Sequence, residues 1–237
     1  IYTLSLHDAL PIFGRRLANE RAAVRVPATT ANMGPGFDSF GMAFRYYDEV
    51  EVRPVAGATH VRVEGVGEGV VPTGDDNLVV RALRAGLDAV GAPQAGFEMR
   101  CVNRIPHGGG MGSSASAAVA GLMLARGLLS EPQALSDDEV FLIATRFEGH
   151  PDNVAPAVFG GATVAWMEAD GKPRAAPMPV DGTLPVSLLV PPPATRLSTE
   201  EAREVLPDSV PRADALFNTS RVCQRSEERR VGKECRS

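Results

Sequence analysis

Alternating apolar and polar positions predict β-structure in the first part of the chain. The segments "AAVRV", "YYDEVEVRPV" and "THVRVEGV" place an apolar residue at nearly every second position, which is typical of strands with one buried face. "GFEMRCVNRIP" shows the same period further along. We therefore predict four half-buried strands, the first of which should break at Pro27.

Segments with a helical period follow these strands. In "DDNLVVRALRAGLDAVGA" the apolar residues recur three or four positions apart, so they share one face of a helix. Asp75 or Asp76 is the predicted N-cap, and Gly91 is the predicted end. Further helices are predicted from Ser113 to Leu129, after a cap at Ser136, and in "STEEAREVLP".

The remaining strands lie later in the chain. "GGATVAWMEA" and "LPVSLLVPPP" have strand composition. Residues 170–185 between them are rich in glycine and proline, which predicts a link between two domains. Strands and helices do not alternate strictly, and no internal repeat is present. The predicted fold class is therefore α+β.

Composition places the chain among ordinary globular enzymes. It has 237 residues, 44% hydrophobic and 22% charged, which is enough for one large domain or two smaller ones. The formal net charge of -5 makes nucleic acid and membrane surfaces unexpected partners. No apolar run approaches the roughly 18 residues that span a bilayer. The three cysteines form no metal-ligand pair and no even disulfide framework, so a cytoplasmic location is expected.

Both ends of the chain differ in composition from its middle. Arginine supplies nearly all of the basic charge, and Lys172 and Lys233 are the only lysines. "IYTLSLHDALPIF" lacks the parts of a signal peptide, and "CQRSEERRVGKECRS" is charged with little to bury. Both segments are typical of translated adapter sequence. Residues 1–14 are therefore predicted to be a non-native leader, and residues 223–237 a non-native tail without structure.

"IPHGGGMGSSASAAVAGLMLARGL" joins a glycine-rich loop directly to a predicted helix. The backbone N–H groups of such a loop, with the positive end of the helix, suit a phosphate group because glycine places no Cβ in the way. A tight structural turn is the alternative. The loop has no lysine, which excludes the P-loop motif, and it lacks the dinucleotide-binding pattern G-x-G-x-x-G.

Three further segments help to decide between a phosphate-binding loop and a structural turn. "VPATTANMGPGFDSFGMAF", "EGHPDNVAPAVFGGATV" and "STEEAREVLPDSVPRADALFN" accompany "IPHGGGMGSSAS". Together they resemble, in family order, four motifs of the homoserine kinases of the GHMP kinase superfamily, over residues 22–222. The resemblance implies the two-domain GHMP kinase fold. Its N-terminal ATP-binding domain, ribosomal protein S5 domain 2-like, would occupy residues 20–170, and a ferredoxin-like C-terminal domain, incomplete here, would start within residues 183–222.

The resemblance also implies an activity. The family transfers the γ-phosphoryl group of ATP to the side-chain hydroxyl of L-homoserine, a step of threonine biosynthesis that uses Mg²⁺. Such a transfer depends mainly on positioning and charge stabilisation. Ser114 matches the family position associated with Mg²⁺. The implied ATP-binding residues are Pro106, His107, Gly108, Gly109, Gly110, Met111, Gly112, Ser113, Ser114, Ala115 and Ser116.

The acceptor site is implied by the other three motifs. Asp152 matches the carboxylate proposed as general base in some relatives, although homoserine kinases are held to pass the proton to the phosphate itself. Asp152 and Asn153 are the catalytic candidates. Without the family, turn and cap contacts explain most of these residues equally well. The implied substrate-binding residues are Asn32, Asp38, His150, Asn153, Thr199 and Arg203.

One position departs from the family pattern. Relatives carry a second metal-linked glutamate on the helix before H-x-D-N, where this chain has Leu142, and Glu148 is the nearest acid. Two other functions therefore stay open: a GHMP kinase for another small alcohol, such as shikimate or an isoprenoid precursor, and an inactive nucleotide-binding fragment. The sequence leaves both a monomer and a homodimer open.

Overall fold

A mixed sheet with helices packed against it forms most of the described structure. The computed structural model describes residues 16–34, 36–181, 207 and 209–231. Its strands are β1 (Ala22–Ala31), β2 (Phe40–Val55), β3 (His60–Gly65), β4 (Gly96–Asn103), β5 (Ala162–Met167) and β6 (Pro173–Met178). Its helices are α1 (Leu78–Ala89), α2 (Ser113–Leu128), α3 (Asp137–Glu148), α4 (Val154–Phe159) and α5 (Arg212–Val231). Within these residues no helix is long and apolar enough to cross a membrane.

The long strand β2 organises the sheet. The strand order is β3-β4-β2-β5-β6, and β1 also pairs with β2. Residues 49–55 of β2 pair with β4, whereas residues 40–42 pair with β5. β3 and β4 are parallel, because α1 lies between them and returns the chain to the same end of the sheet. This mixed arrangement confirms the predicted α+β class.

β1 continues through Pro27, so the predicted break there is wrong. Its register with β2 shifts between Pro27 and Thr29. Proline has no backbone N–H to donate, and it is tolerated at such a bulge because the regular ladder of hydrogen bonds is interrupted there. β1 pairs with β2 along its length, and the bulge keeps that pairing intact. As a result, Thr29 stays in the strand and reaches the glycine loop, where its N–H donates to the carbonyl oxygen of Met111 at 3.1 Å.

Helix α2 is buried on most of its surface and supports the loop that precedes it. Most of its apolar side chains are buried, and those of Leu122 and Leu124 are fully buried. Small residues allow close neighbours: a Cβ added at Gly121 would lie 2.3 Å from the carbonyl oxygen of Val79 in α1. Close packing and the burial of apolar surface, at about 25 cal/mol per Å², fix the position of α2.

The helix caps confirm one prediction and correct another. Ser136 caps α3 through a capping box with Glu139, as expected. The cap of α1 is Asn77, not Asp75 or Asp76: the Asn77 side chain accepts from the N–H of Val79 at 3.0 Å. The carboxylate of Asp75 pairs instead with Arg84 at 2.6 Å.

Two predictions about irregular segments are also corrected. Part of the expected link at residues 170–185 forms β6, which pairs with β5, so the sheet continues past residue 170. The tail expected to lack structure from residue 223 is helical as far as Val231 in α5. The predicted leader, the strand "LPVSLLVPPP" and the helix "STEEAREVLP", with Thr199 and Arg203, lie outside the described residues.

Candidate active site

The glycine loop connects β4 to the first turn of α2. Gly110 and Gly112 have φ values of +70° and +62°, which side chains rarely adopt. Gly112 is the N-cap of α2 and provides no side-chain hydrogen bond to the helix. The first N–H groups of α2 therefore keep their capacity for an anionic ligand. A Cβ added at Gly110 would meet nothing within 4 Å, so the backbone there faces open space.

Gly112 is required for a different reason, the close approach of three segments. A Cβ at this position would lie 2.0 Å from Oγ1 of Thr29 and 2.9 Å from Oδ1 of Asn153. Thr29 is fully buried, and its hydroxyl donates to Oδ1 of Asn153 at 2.9 Å. The structure therefore brings together β1, the glycine loop and the segment before α4.

The serines at the start of α2 point in different directions. Ser116 is buried, and its hydroxyl donates to the carbonyl oxygen of Pro27 at 2.7 Å. Ser114 donates instead to Oε2 of Glu148, at the end of α3, at 2.9 Å. Ser116 thus ties α2 to β1, whereas Ser114 faces a carboxylate.

Glu148, rather than a residue at position 142, is the acid that contacts Ser114. Gly149 ends α3 in a left-handed conformation with φ +83°, and the last residue of the helix, Glu148, meets Ser114. Burial raises the pKa of the Glu148 carboxyl, while the hydrogen bond from Ser114 and the nearby His150 lower it and Asp152 raises it. Glu148, which the sequence offers as the nearest acid to the position of Leu142, therefore lies beside Ser114.

His150, Asp152 and Asn153 form one hydrogen-bonded group after α3. Asp152 is fully buried, and its Oδ1 accepts from the Asn153 N–H at 2.7 Å and pairs with Nδ1 of His150. Its other oxygen, Oδ2, is buried without a hydrogen-bond partner in the described residues. A buried carboxylate oxygen of this kind can accept a hydrogen bond from a ligand.

Asn32 and Asp38 lie in one turn between β1 and β2. The N–H of Asp38 donates to Oδ1 of Asn32 at 2.7 Å, and both residues have positive φ. The strand that follows this turn runs close to Asp152, because a Cβ at Gly41 would lie 1.9 Å from the Asp152 carbonyl oxygen. The turn therefore leads into the strand that packs on the His150–Asn153 group.

Sequence reasoning missed a cavity beside the glycine loop. The cavity has a volume of about 310 Å³ and lies against the start of α2. Burial, followed by the negative charge of Asp48, raises the pKa of the Cys101 thiol to about 12, so the thiol stays neutral. The lining of the cavity includes Val50, Val71, Leu78, Val79, Cys101 and Asn103.

Asp48 was also missed, and it holds the start of the glycine loop. Its Oδ1 accepts from the N–H groups of Arg104 and Ile105 at 2.6 and 2.9 Å. Burial raises the pKa of the Asp48 carboxyl, and these two hydrogen bonds lower it. Asp48 lies in β2, more than fifty positions before the loop, so no local pattern in the sequence indicates this contact.

Comparison with known proteins identifies relatives in sequence. Residues 77–161 match the family model described as "GHMP kinases N terminal domain". The homoserine kinase of Clavibacter michiganensis subsp. michiganensis is 49% identical over 203 residues, covering 85% of this chain and 63% of the relative. The homoserine kinase of Leifsonia xyli subsp. xyli is 50% identical over 208 residues, covering 86% of this chain and 63% of the relative.

Solved structures have the same fold. A Listeria monocytogenes protein assigned as a homoserine kinase has a TM-score of 0.66 at 30% identity, covering 87% of this chain and 67% of that chain. The homoserine kinase from Cytophaga hutchinsonii has a TM-score of 0.64 at 24% identity, covering 94% and 67%.

The family model and the shared fold define the class as the GHMP kinases. Within that superfamily, the chain belongs to the homoserine kinase family. It spans about 63% of the length of the curated relatives it matches.

Proposed function

We propose that the protein transfers the γ-phosphoryl group of ATP to the side-chain hydroxyl of L-homoserine, as a step of threonine biosynthesis. The observation that carries the proposal is the meeting of three elements: the glycine loop, the Ser114–Glu148 pair and the His150–Asn153 group. In this proposal the glycine loop binds phosphate, the Ser114–Glu148 pair provides an acid beside a hydroxyl, and the His150–Asn153 group binds the acceptor.

In this proposal the cavity beside α2 receives the base of the nucleotide. Its volume of about 310 Å³ and its apolar walls suit a planar aromatic ring. The phosphates extend from there along residues 106–112 to the N–H groups at the start of α2. Asp48 fixes the start of this loop through two backbone hydrogen bonds, so the loop is held in shape before nucleotide binds.

Ser114 and Glu148 are the proposed residues that hold Mg²⁺. A hydroxyl and a carboxylate are hard oxygen donors, and Mg²⁺ in proteins is commonly held by one or two carboxylates together with substrate phosphates. The two side chains already contact each other at 2.9 Å. No group of three His, Cys, Asp or Glu side chains that could hold a metal occurs among the described residues. The bound ion would neutralise charge on the transferring phosphoryl group.

The acceptor alcohol is proposed to bind beside the His150–Asn153 group. Asn153 is held by Thr29, and we propose that it orients the hydroxyl of the substrate. Asp152 is the proposed proton acceptor, since its Oδ2 is a buried carboxylate oxygen without a hydrogen-bond partner in the described part of the chain. Asn32, Asp38, Thr199 and Arg203 are the proposed contacts to the amino-acid part of the substrate.

Asp152→Asn is expected to lower kcat about 100-fold and to leave KM for ATP unchanged. The amide keeps an oxygen that can accept from Asn153 and His150, but it cannot take up a proton. Asp152→Ala also removes these hydrogen bonds, at a cost of about 1–3 kcal/mol in the free energy of unfolding. Steady-state kinetics and thermal unfolding separate the two effects. Unchanged kcat in Asp152→Asn would show that the proton passes directly to the phosphate.

The proposed function is tested by following ADP release with ATP, Mg²⁺ and a panel of alcohols: L-homoserine, shikimate and mevalonate. The homoserine kinase of Leifsonia xyli serves as the positive control for the assay. Homoserine-dependent ADP release supports the proposal. If another alcohol is preferred, the substrate is wrong, and if ATP binds without transfer to any alcohol, the chain is a nucleotide-binding protein without this activity.

A further inference from the structure

The glycine loop contains no side chain with a permanent positive charge. Residues 106–116 include neither lysine nor arginine. Arg104, just before the loop, pairs with Glu49 at 2.9 Å. The partial charge of a helix N-terminus and one divalent ion offset only part of the charge of a triphosphate. A cation from another element would complete the site.

Arg81 in α1 is close to the cavity on one side. Its N–H donates to the carbonyl oxygen of Asn77, one helical turn earlier, at 2.9 Å. It follows Leu78 by three positions, so the two side chains share a face of α1. Both Asn77 and Leu78 line the cavity, and Arg81 itself is exposed. Arg81 therefore lies at the edge of the cavity on the solvent side.

On its other side, Arg81 contacts Phe147 near the end of α3. Its guanidinium carbon lies 5.7 Å from the centre of the Phe147 ring. Phe147 packs against the core and directly precedes Glu148, which accepts from Ser114. The ring holds the guanidinium by a cation–π contact that leaves its charge available. Across residues 16–34, 36–181, 207 and 209–231, no carboxylate pairs with Arg81.

We propose that Arg81 binds the phosphate groups of the nucleotide and supplies the positive charge that the loop lacks. The inference rests on the proposed nucleotide-binding function. The long side chain starts at the edge of the cavity and extends towards the end of α3, so its path follows that of a nucleotide from base to phosphates. Its guanidinium can donate two parallel hydrogen bonds to phosphate oxygens.

The test is calorimetric titration of ATP, AMP and adenosine into four forms of the full chain: wild type, Arg81→Met, Arg81→Lys and Arg62→Met. Arg62 is an exposed residue of β3 that pairs with Glu64 at 3.1 Å, so its replacement makes the same change in net charge away from the cavity. Arg81→Met should weaken ATP binding about tenfold and leave adenosine binding unchanged. Arg81→Lys should restore most of the loss, and Arg62→Met should bind like wild type.

The alternative results distinguish a failure of the Arg81 assignment from a failure of the proposed function. Normal ATP binding by Arg81→Met, or an equal loss for ATP and adenosine, overturns the assignment of Arg81 and leaves the proposed function intact. The same holds if Arg62→Met weakens ATP binding as much as Arg81→Met, because the effect is then one of net charge. A wild-type chain that binds no ATP overturns the proposed function and the assignment of Arg81 together.

Discussion

Replacing Gly110 with valine is expected to weaken ATP binding by at least about 100-fold. The missing Cβ of Gly110 faces open space, with nothing within 4 Å, and this is the space that the phosphates are proposed to occupy. A valine side chain would fill it and keep the backbone N–H groups from the ligand. The positive φ of +70° adds strain of about 1–2 kcal/mol. Calorimetry with ATP measures the first effect, and thermal unfolding the second.

Gly171→Val is the matched control for this strain. Gly171 lies in the turn between β5 and β6, has a φ of +76°, and also has nothing within 4 Å of an added Cβ. Its replacement should lower the melting temperature about as much as Gly110→Val and should leave ATP affinity unchanged. If the two variants bind ATP equally well, the loop does not form the phosphate site.

Glu148→Gln should lower kcat about 100-fold and raise the Mg²⁺ concentration needed for half-maximal rate. Glutamine has nearly the same size and can still accept a hydrogen bond from Ser114, but it lacks the charge that binds a divalent ion. Asp138→Asn removes one carboxylate from the opposite end of α3, where Asp138 is exposed, and should leave the rate unchanged. Equal rates in wild type and Glu148→Gln would exclude Glu148 as a metal ligand.

The same variant is expected to be as stable as wild type or more so at neutral pH. Burial raises the pKa of the Glu148 carboxyl above its ordinary value of 4.5, so ionised Glu148 is less favourable in the folded protein than in the unfolded chain. Below pH 4.5 the group is neutral in both states, and Glu148 and Gln should be equally tolerated. As the pH rises through the elevated pKa, the wild type loses stability relative to Glu148→Gln. Melting curves at several pH values show whether this difference appears.

Local patterns predicted strands β1 to β5 and helices α1 to α3, but they missed α4, β6 and α5. Apolar periodicity identified α1, α2 and α3, and the capping box at Ser136 marked the start of α3. Errors arose where a distant residue decided the outcome. Asp75 pairs with Arg84, and the N-cap of α1 is Asn77. β1 continues past Pro27 because it pairs with β2 on both sides of that residue.

Only part of the candidate site could be predicted from the sequence, again because residues distant along the chain complete it. The glycine loop, Ser114 and the His150–Asn153 group are short, ordered motifs, and the structure brings them together. Counting along the helix pointed to Leu142 as the position of the acid, but Gly149 ends α3 so that Glu148 faces Ser114. The contact of Asp48 with the loop joins residues 56 positions apart, and spacing along the chain carries no information about it.

The hydrogen bond between Thr29 and Asn153 joins residues 124 positions apart. This separation has a consequence for folding while the protein is being synthesised. The pair cannot form on a ribosome until strands β1 to β4 and helices α1 to α3 have been made. Contacts between such distant residues slow folding. Nucleotide binding by nascent chains of increasing length should therefore begin only after Asn153 has left the exit tunnel, and it would report the moment at which β1, the glycine loop and Asn153 come together.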